Sequence, residues 1–272
     1  MQHEGNILKM RTELANPVKY FLPIGENEID MNSLIGKEIS MSFSGQINCI
    51  SCGKRTKTSF HQGFCFNCLQ TAPQAAESVI RPELSKAQFG IARDIDWAEK
   101  HDLVDHFVYL AVSSEVKVGV TRNHQIPTRW IDQGASYAIK LATTPNRHIA
   151  GVIEVFLKKH YTDKTNWRAM LKNEVAENIN LLNEKEKVIQ LLPAELRKYI
   201  ASDNETTIIK YPVQQYPQKI KSIGFDKLPT INGVLKGIKG QYLIFDNETV
   251  LNIRKHNGYF LQILNSDRFS EN

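Results

Sequence analysis

Four cysteines give the clearest chemical signal in the sequence. Cys49-Ile-Ser-Cys52 and Cys65-Phe-Asn-Cys68 are two Cys-x-x-Cys turns separated by residues 53–64. Each turn directs two thiolates at one point, and two turns complete the tetrahedral sulfur shell that zinc prefers. A thioredoxin-like redox pair, which needs only one such motif, or four separate core cysteines are the alternatives. We expect a structural zinc ion, because the filled shell leaves no open position for catalysis.

Polar residues in the middle of the chain could form a second site. Tyr109, Arg129, Glu154 and Asn166 supply a phenol, a cation, a carboxylate and an amide. This set suits phosphodiester hydrolysis, in which Glu154 holds Mg²⁺ or Mn²⁺, Arg129 offsets phosphate charge, and a phenolate or metal-held water acts as base. The alternatives are structural: Tyr109 as a core residue and Arg129 in a surface salt bridge. Glu154 would then be a helix-face charge and Asn166 the N-cap of the next helix.

Further cations and aromatic residues near these positions could contact a phosphate and a stacked base. The segments 128–135 and 163–168 each set basic residues beside a tryptophan, and we predict that they converge on the strand of Tyr109. In the alternative interpretation, Trp130 and Trp167 only anchor the packing. The predicted substrate contacts are Arg122, His124, Trp130, Arg147, His148, Lys164 and Arg168.

Two short strands must position the first of these side chains. A period of two puts Tyr109 on the face opposite Val108 and Lys117 on the face opposite Val118. Gly119 permits close approach to the backbone.

Helices must position the others. The chain turns through Pro127 into a helix that carries Arg129 and ends at Gly134. Apolar residues across 149–157 have helical spacing, which places Glu154 at the edge of a buried stripe. Residues 167–196 predict an amphipathic helix followed by a second helix that stops at Pro193.

The central segment resembles the GIY-YIG nuclease superfamily, most of all the branch whose second signature reads Lys-Ile-Gly. The resemblance is carried in order by Phe107-Val108-Tyr109, Lys117-Val118-Gly119, Arg129 and Glu154. It implies a three-stranded antiparallel sheet with flanking helices that cuts DNA or RNA with one Mg²⁺ or Mn²⁺. By this resemblance Tyr109 matches the first-signature tyrosine and Arg129 the helix arginine. Glu154 matches the metal-binding glutamate and Asn166 the distal asparagine.

Two positions depart from that pattern. Phe107 replaces the first glycine, and Lys117 stands where the second tyrosine is usual. Lys117 could contact phosphate or lower the pKa of Tyr109, so it joins the predicted catalytic set. A domain that binds nucleic acid without cutting it is the alternative.

The chain as a whole resembles a bacterial zinc-knuckle family known only as a domain of unknown function, DUF family 2797. The strings that carry this resemblance lie at Lys117–Arg122, Ile126–Ala135 and Asp163–Arg168. Members often carry further cysteines beside an Arg-Pro-Glu segment. Ser78 and Ser85 take those places here, so we expect no second metal site.

The length of 272 residues predicts two or three modules in an α+β chain. Apolar and polar patterns divide it as follows: an N-terminal β region (1–47), a zinc ribbon (48–72), a connector (73–104), a GIY-YIG-like α+β domain (105–198) and a small C-terminal all-β domain of the SH3 or OB kind (205–266).

A net charge of +5 and the cations beside aromatic residues in the C-terminal strands predict DNA or RNA as the partner. No apolar run reaches membrane length and no secretory signal is present, so we expect a cytoplasmic protein without a membrane partner. The sequence leaves the oligomeric state open. It also leaves three functions: a metal-dependent endonuclease, a non-catalytic DNA/RNA-binding or ribonucleoprotein-associated module, and a small enzyme for a phosphorylated or nucleotide substrate.

Overall fold

The protein is a mixed α+β chain of two compact units, seen in a computed structural model that describes residues 2–176 and 179–265. The terminal unit combines the described residues up to Gln70 with those from Lys210 onward, and the central unit is Thr71–Ile209. No helix in these described ranges is long and apolar enough to cross a membrane. The predicted domain limits at residues 1 and 266 lie outside the described residues.

The elements follow one another along the chain with short 3-10 turns between some of them. They are β1 (Gln2–Asn6), β2 (Arg11–Glu13), β3 (Lys19–Ile24), β4 (Asn27–Asp30), β5 (Glu38–Asn48), β6 (Arg55–Thr56), α1 (Phe66–Thr71), α2 (Ile95–His101), β7 (His106–Val112), β8 (Val116–Arg122), α3 (Thr128–Asp132), β9 (Tyr137–Thr144), α4 (Arg147–Leu157), α5 (Trp167–Leu171), α6 (Leu181–Leu191), α7 (Ala194–Arg197), β10 (Thr206–Ile208), β11 (Lys221–Ile223), β12 (Thr230–Lys239), β13 (Tyr242–Phe245), β14 (Thr249–Asn252) and β15 (Tyr259–Asn265).

Two sheets build the terminal unit. The larger has eight strands in the order β1-β15-β5-β12-β13-β14-β11, with β6 paired to β5, and the smaller is β2-β3-β4. Alternation forms these strands: in β3, Tyr20, Leu22 and Ile24 are buried while the residues between them are not. Gly25, at a φ of 57°, then makes the tight turn into β4.

The strands of the two chain ends pair with each other, whereas the sequence predicts an N-terminal β region and a separate C-terminal domain. β5 pairs with β15 and with β12, and β1 pairs with β15. β10, which falls within the predicted C-terminal domain, pairs instead with β9 in the central unit. Alternating apolar residues predict a strand but do not say which distant strand it joins.

The central unit is organised around a sheet in the order β10-β9-β7-β8. β7 and β8 are an antiparallel pair from His106↔Arg122 to Val112↔Val116, and β9 lies on the other side of β7. The three strands expected by resemblance are therefore accompanied by a fourth, β10.

The two faces of this sheet differ as the period of two predicts. Val108, Leu110 and Val118 belong to the apolar core that α4 and α6 complete. Tyr109 and Lys117 alternate with these residues and lie on the opposite face. α4 and α6 therefore cover one face, and Tyr109 and Lys117 lie on the other.

The sequence predicts one amphipathic helix followed by a second across 167–196. The structure instead has a short helix, α5, and then a separate helix, α6. At the end of α5, Asn173 has a φ of 60° and the amide of Glu174 donates to the carbonyl of Ala169 at 2.9 Å. This left-handed cap ends the helix after little more than one turn. α6 then begins anew and ends before Pro193.

Candidate functional site

The four cysteines of the terminal unit lie together. Their sulfur atoms are within 4.8 Å of one another, and the Sγ atoms of Cys52 and Cys65 are 3.9 Å apart. Tetrahedral zinc with sulfur at about 2.3 Å requires sulfur atoms roughly 3.8 Å apart. The cluster can therefore hold a zinc ion. It is the only group of three or more potential metal-ligating side chains within the described ranges.

Backbone geometry presents the first pair of thiols. β5 and β6 pair through Asn48 and Arg55, and the amide of Gly53 donates to the carbonyl of Cys49 at 2.8 Å. The amide of Cys65 donates to Cys49 Sγ at 3.2 Å. Burial opposes ionisation of Cys49, but backbone amides of Cys52 and Cys65 outweigh it and lower the pKa of this thiol to about 6. Thiolate is the form that binds metal.

Tyr109 lies at the centre of the second predicted site. Its buried ring crosses Gly119 on β8, where a Cβ atom would stand 2.5 Å from the phenolic oxygen. The hydroxyl donates to Gln133 Oε1 at 2.9 Å, and the ring meets Trp130 edge-on at 6.1 Å between centroids. Burial raises the pKa of Tyr109, although Arg129 and Gln133 act in the opposite direction. The phenol therefore keeps its proton at neutral pH.

Lys117 is a buried cation beside Tyr109. Its ammonium donates to Gln133 Oε1, which thus accepts from both residues, and to Thr165 Oγ1 at 2.8 Å. Burial and the nearby charge of Arg129 lower the pKa of Lys117 to about 7. Arg129 also lies close enough to Tyr109 to lower the pKa of its phenol.

Glu154 is also largely buried, with 8% of its surface exposed. The ammonium of Lys158 lies 3.5 Å from its carboxylate and 3.2 Å from that of Asp163. Burial raises the pKa of Glu154, and Lys158 partly reverses that effect. The carboxylate is close enough to influence the ionisation of both Tyr109 and Lys117.

Asn166 is exposed and caps α5. Its Oδ1 accepts from the amide of Ala169 at 3.2 Å, which confirms the N-cap interpretation. Asn166 also lines a cavity of about 240 Å³ beside Lys117. The residues around this cavity are Ser113, Ser114, Glu115, Lys117, Thr162, Lys164, Thr165 and Asn166.

Three other predicted phosphate contacts gather around His106 instead. Arg122 pairs with His106 in the β-ladder, and Arg122, His124 and Arg147 all oppose protonation of the His106 ring. Burial is the main cause that lowers the pKa of His106 to about 4. Arg147 forms an ion pair with Asp102 at 3.2 Å. The structure thus brings these three side chains together, but at the other end of β8 from Lys117.

His148 holds the connector against α4. Its Nδ1 lies 2.8 Å from the carbonyl oxygen of Glu83. Gly151 on the same helix admits this segment closely, since a Cβ atom there would stand 2.1 Å from the amide nitrogen of Glu83. This contact gives His148 a packing role.

The two predicted tryptophans have different surroundings. Trp130 is buried, as the packing interpretation expects. Trp167 is partly exposed, and the guanidinium of Arg168 stacks on its ring at 4.2 Å. Lys164 is exposed and lines the cavity beside Lys117.

Comparison with known proteins yields one family. A family model described as a protein of unknown function (DUF2797) matches residues 36–261. The chain belongs to this family. No curated protein and no solved structure matches significantly. The match confirms the predicted family, which supplies no activity, while the GIY-YIG resemblance remains a prediction.

Three residues of the candidate site in this DUF2797 protein were not predicted from the sequence. Gln133 and Thr165 accept hydrogen bonds from Lys117, and Ser113 lines the cavity. Gln133 and Thr165 stand inside the distinctive strings of the sequence, which was the available signal. Ser113 follows β7 in a turn. Nothing in its local sequence predicts that it lines the cavity, because the other wall is formed by residues about fifty positions away.

Proposed function

We propose that this DUF2797 protein binds nucleic acid and hydrolyses its phosphodiester backbone beside Lys117. One observation carries the proposal: Tyr109, Lys117, Arg129 and Glu154 come from four different elements, and the charges of Arg129 and Glu154 act on the ionisation of both Tyr109 and Lys117. Burying several ionisable groups together destabilises a protein, so such clusters are typical of functional sites.

The cations suit a phosphate group. Lys117 and Arg129 would offset charge on the phosphate oxygens, since both direct positive charge to the same region. Tyr109 keeps its proton and would donate a hydrogen bond rather than act as base. In the hydrolysis, water adds to phosphorus, the bond from phosphorus to one sugar oxygen breaks, and that oxygen leaves with a proton.

Glu154 would hold the Mg²⁺ or Mn²⁺ ion. The Lys158 ammonium, shared by the carboxylates of Glu154 and Asp163, marks a position where two acids accommodate a cation. Mg²⁺ usually takes one or two carboxylates, with water and substrate phosphates as its other ligands, so this donor set fits. When bound, the ion would polarise the phosphate.

A binding surface for nucleic acid is available next to this centre. The stacked pair of Trp167 and Arg168 offers an aromatic face and a cation, and Lys164 adds a second charge. Stacking on aromatic rings and pairing of cations with phosphates together bind single strands without sequence preference.

Replacement of Glu154 tests the catalytic part. Glu154→Gln should lower Mg²⁺- or Mn²⁺-dependent cleavage of plasmid DNA or structured RNA by about a thousandfold while leaving binding largely intact. Glu186→Gln, at an exposed position of α6, is the matched control and should cut like the wild type. Absence of cleavage by the wild-type protein with either ion, on single-stranded DNA, duplex DNA and RNA, would exclude the nuclease.

Non-catalytic binding is the second candidate, and the Lys158 contacts favour it. That ammonium already forms ion pairs with both Glu154 and Asp163, so a metal ion would have to displace it. In this case the chain would bind DNA or RNA with an affinity that falls steeply as salt rises, because bound phosphates release counterions. Fluorescence polarisation over a salt series measures this. Absent or salt-independent binding to both polymers would favour a small phosphorylated substrate instead.

A further inference from the structure

Within residues 2–176 and 179–265, the Lys117 ammonium has no carboxylate among its hydrogen-bond partners. Only 2% of the residue is exposed, and both acceptors, Gln133 Oε1 and Thr165 Oγ1, are neutral. The acids that favour its charged form, Asp163 and Glu154, are themselves bound to Lys158. A buried charge without a counter-charge is unfavourable unless a ligand supplies one.

A second unsatisfied group lies in the same cavity. Ser113 is 1% exposed, and its hydroxyl has no hydrogen-bond partner among the residues that the structure describes. Buried polar groups almost always have partners, so an unpaired hydroxyl in the wall of a cavity is suited to a ligand. Lys117 and Ser113 line this cavity together. An anion with several acceptor oxygens would satisfy both.

The size of the cavity limits the ligand. About 240 Å³ corresponds to roughly eight water molecules of the liquid, and it is below the range of pockets that enclose a drug-sized molecule. A phosphate group with part of one sugar fits such a volume. Further donors are the Lys164 ammonium and the amide nitrogen of Asn166, whose oxygen is used by the helix cap.

We propose that this cavity binds the terminal phosphate of a nucleic acid strand, a substrate class that rests on the proposed function. A phosphate inside a strand carries a sugar on both sides, so it places fewer free oxygens beside groups as buried as Lys117 and Ser113 than a terminal phosphate does. A terminal phosphate has one substituent and three free oxygens. It also carries a charge of about −1.5 to −2 at neutral pH, which suits a site containing Lys117 and Lys164. The protein would thus act at strand ends.

Binding of matched strands tests this inference on the full zinc-loaded chain. Three short single strands of one sequence carry a 5′-phosphate, a 3′-phosphate or hydroxyls at both ends, and calorimetry measures their affinities. We expect one phosphorylated strand to bind about tenfold more tightly than the hydroxyl strand, and inorganic phosphate to remove that difference by competition. Equal affinities for all three strands would overturn the inference.

Two variants test whether the preference for a phosphorylated end arises in this cavity. Ser113→Ala and Lys117→Met should each abolish the preference for a phosphorylated end, while the exposed-site controls Ser222→Ala and Lys221→Met retain it. Circular dichroism checks that each variant is folded. If Lys117→Met does not fold, the result is decided by Ser113→Ala, which is the smaller change. A preference that persists in folded Ser113→Ala and Lys117→Met would refute the site.

The two proposals fail separately. An end preference in a protein that cuts nothing would exclude the nuclease and support the terminal-phosphate site. Cleavage without any end preference would support the nuclease and exclude this site.

Discussion

Lys117 is the residue whose burial is most clearly unfavourable for the stability of the protein. It occupies a strand position between the partly buried Val116 and the buried Val118, where an apolar residue would fill the space without desolvating a charge. Its two hydrogen bonds go to neutral oxygens. Hydrogen bonds to neutral partners offset only part of the cost of removing an ammonium from water. A functional constraint explains such a residue better than a structural one.

Lys117→Met should therefore stabilise the protein. We expect its free energy of unfolding to rise by about 1–3 kcal/mol near pH 6, since Met keeps the side-chain volume and removes the buried charge. The folded-state pKa of Lys117 is lowered to about 7, so above that pH the unfolded chain holds a proton that the folded chain has lost. Wild-type stability from this group then rises with pH, and the gain from Met shrinks between about pH 7 and 10.

Urea unfolding near pH 6 and pH 9 measures this difference. Lys221→Met, at an exposed site on β11, is the control and should change stability by less than about 0.5 kcal/mol at either pH. If Lys117→Met were destabilising at the lower pH, the ammonium would be a structural cation that the fold needs.

Among the elements, the short helix α5 shows one residue in two possible roles. Asn166 caps this helix through its side-chain oxygen, while its amide nitrogen is available at the cavity. The structural and the functional interpretations of this residue are thus compatible.

Two substitutions separate these roles. Asn166→Asp keeps an oxygen that can accept from the Ala169 amide, so unfolding in urea should change little, whereas Asn166→Ala should cost about 1 kcal/mol. If the amide contacts the substrate, both variants should lose end-phosphate binding, and Asp should lose more because it repels the anion. If the Asn166→Asp variant binds the phosphorylated strand as tightly as the wild type does, Asn166 acts only as the cap of α5.

Local signals predicted many elements and failed where distant contacts decide. Gly134 ends α3 in a left-handed conformation, as its sequence position predicts, and the face of β7 that carries Tyr109 follows from alternation. The early end of α5 depends on Asn173 adopting the left-handed conformation, which Gly takes more readily. The pairing of β10 with β9 cannot be predicted from the local pattern of apolar and polar residues. Gln133 could be placed on α3 but not between Tyr109 and Lys117.

At the scale of the whole molecule, the cysteine cluster belongs to the unit built from both ends of the chain. The first cysteine turn connects β5 to β6, and β5 is also the strand that pairs with β12 and β15. Metal binding supplies folding energy to segments that bury little apolar surface of their own. The order of residues 49–68 should therefore depend on zinc, while the central sheet has a separate apolar core.

Removal of zinc tests this dependence directly. Elemental analysis should find one zinc ion per chain, none in Cys65→Ser, and one in the control Ser51→Ala, which alters the same turn region without removing a thiol.

After chelation, hydrogen exchange should accelerate by several orders of magnitude at amides of residues 49–68, because the sulfur atoms lose the ion that holds them together. Amides of β7, β8 and β9 should stay protected, since the core of Val108, Leu110 and Ile153 contains no cysteine. A metal-free chain with protected amides at 49–68 would show that the hairpins fold without zinc and that the cysteines serve another purpose.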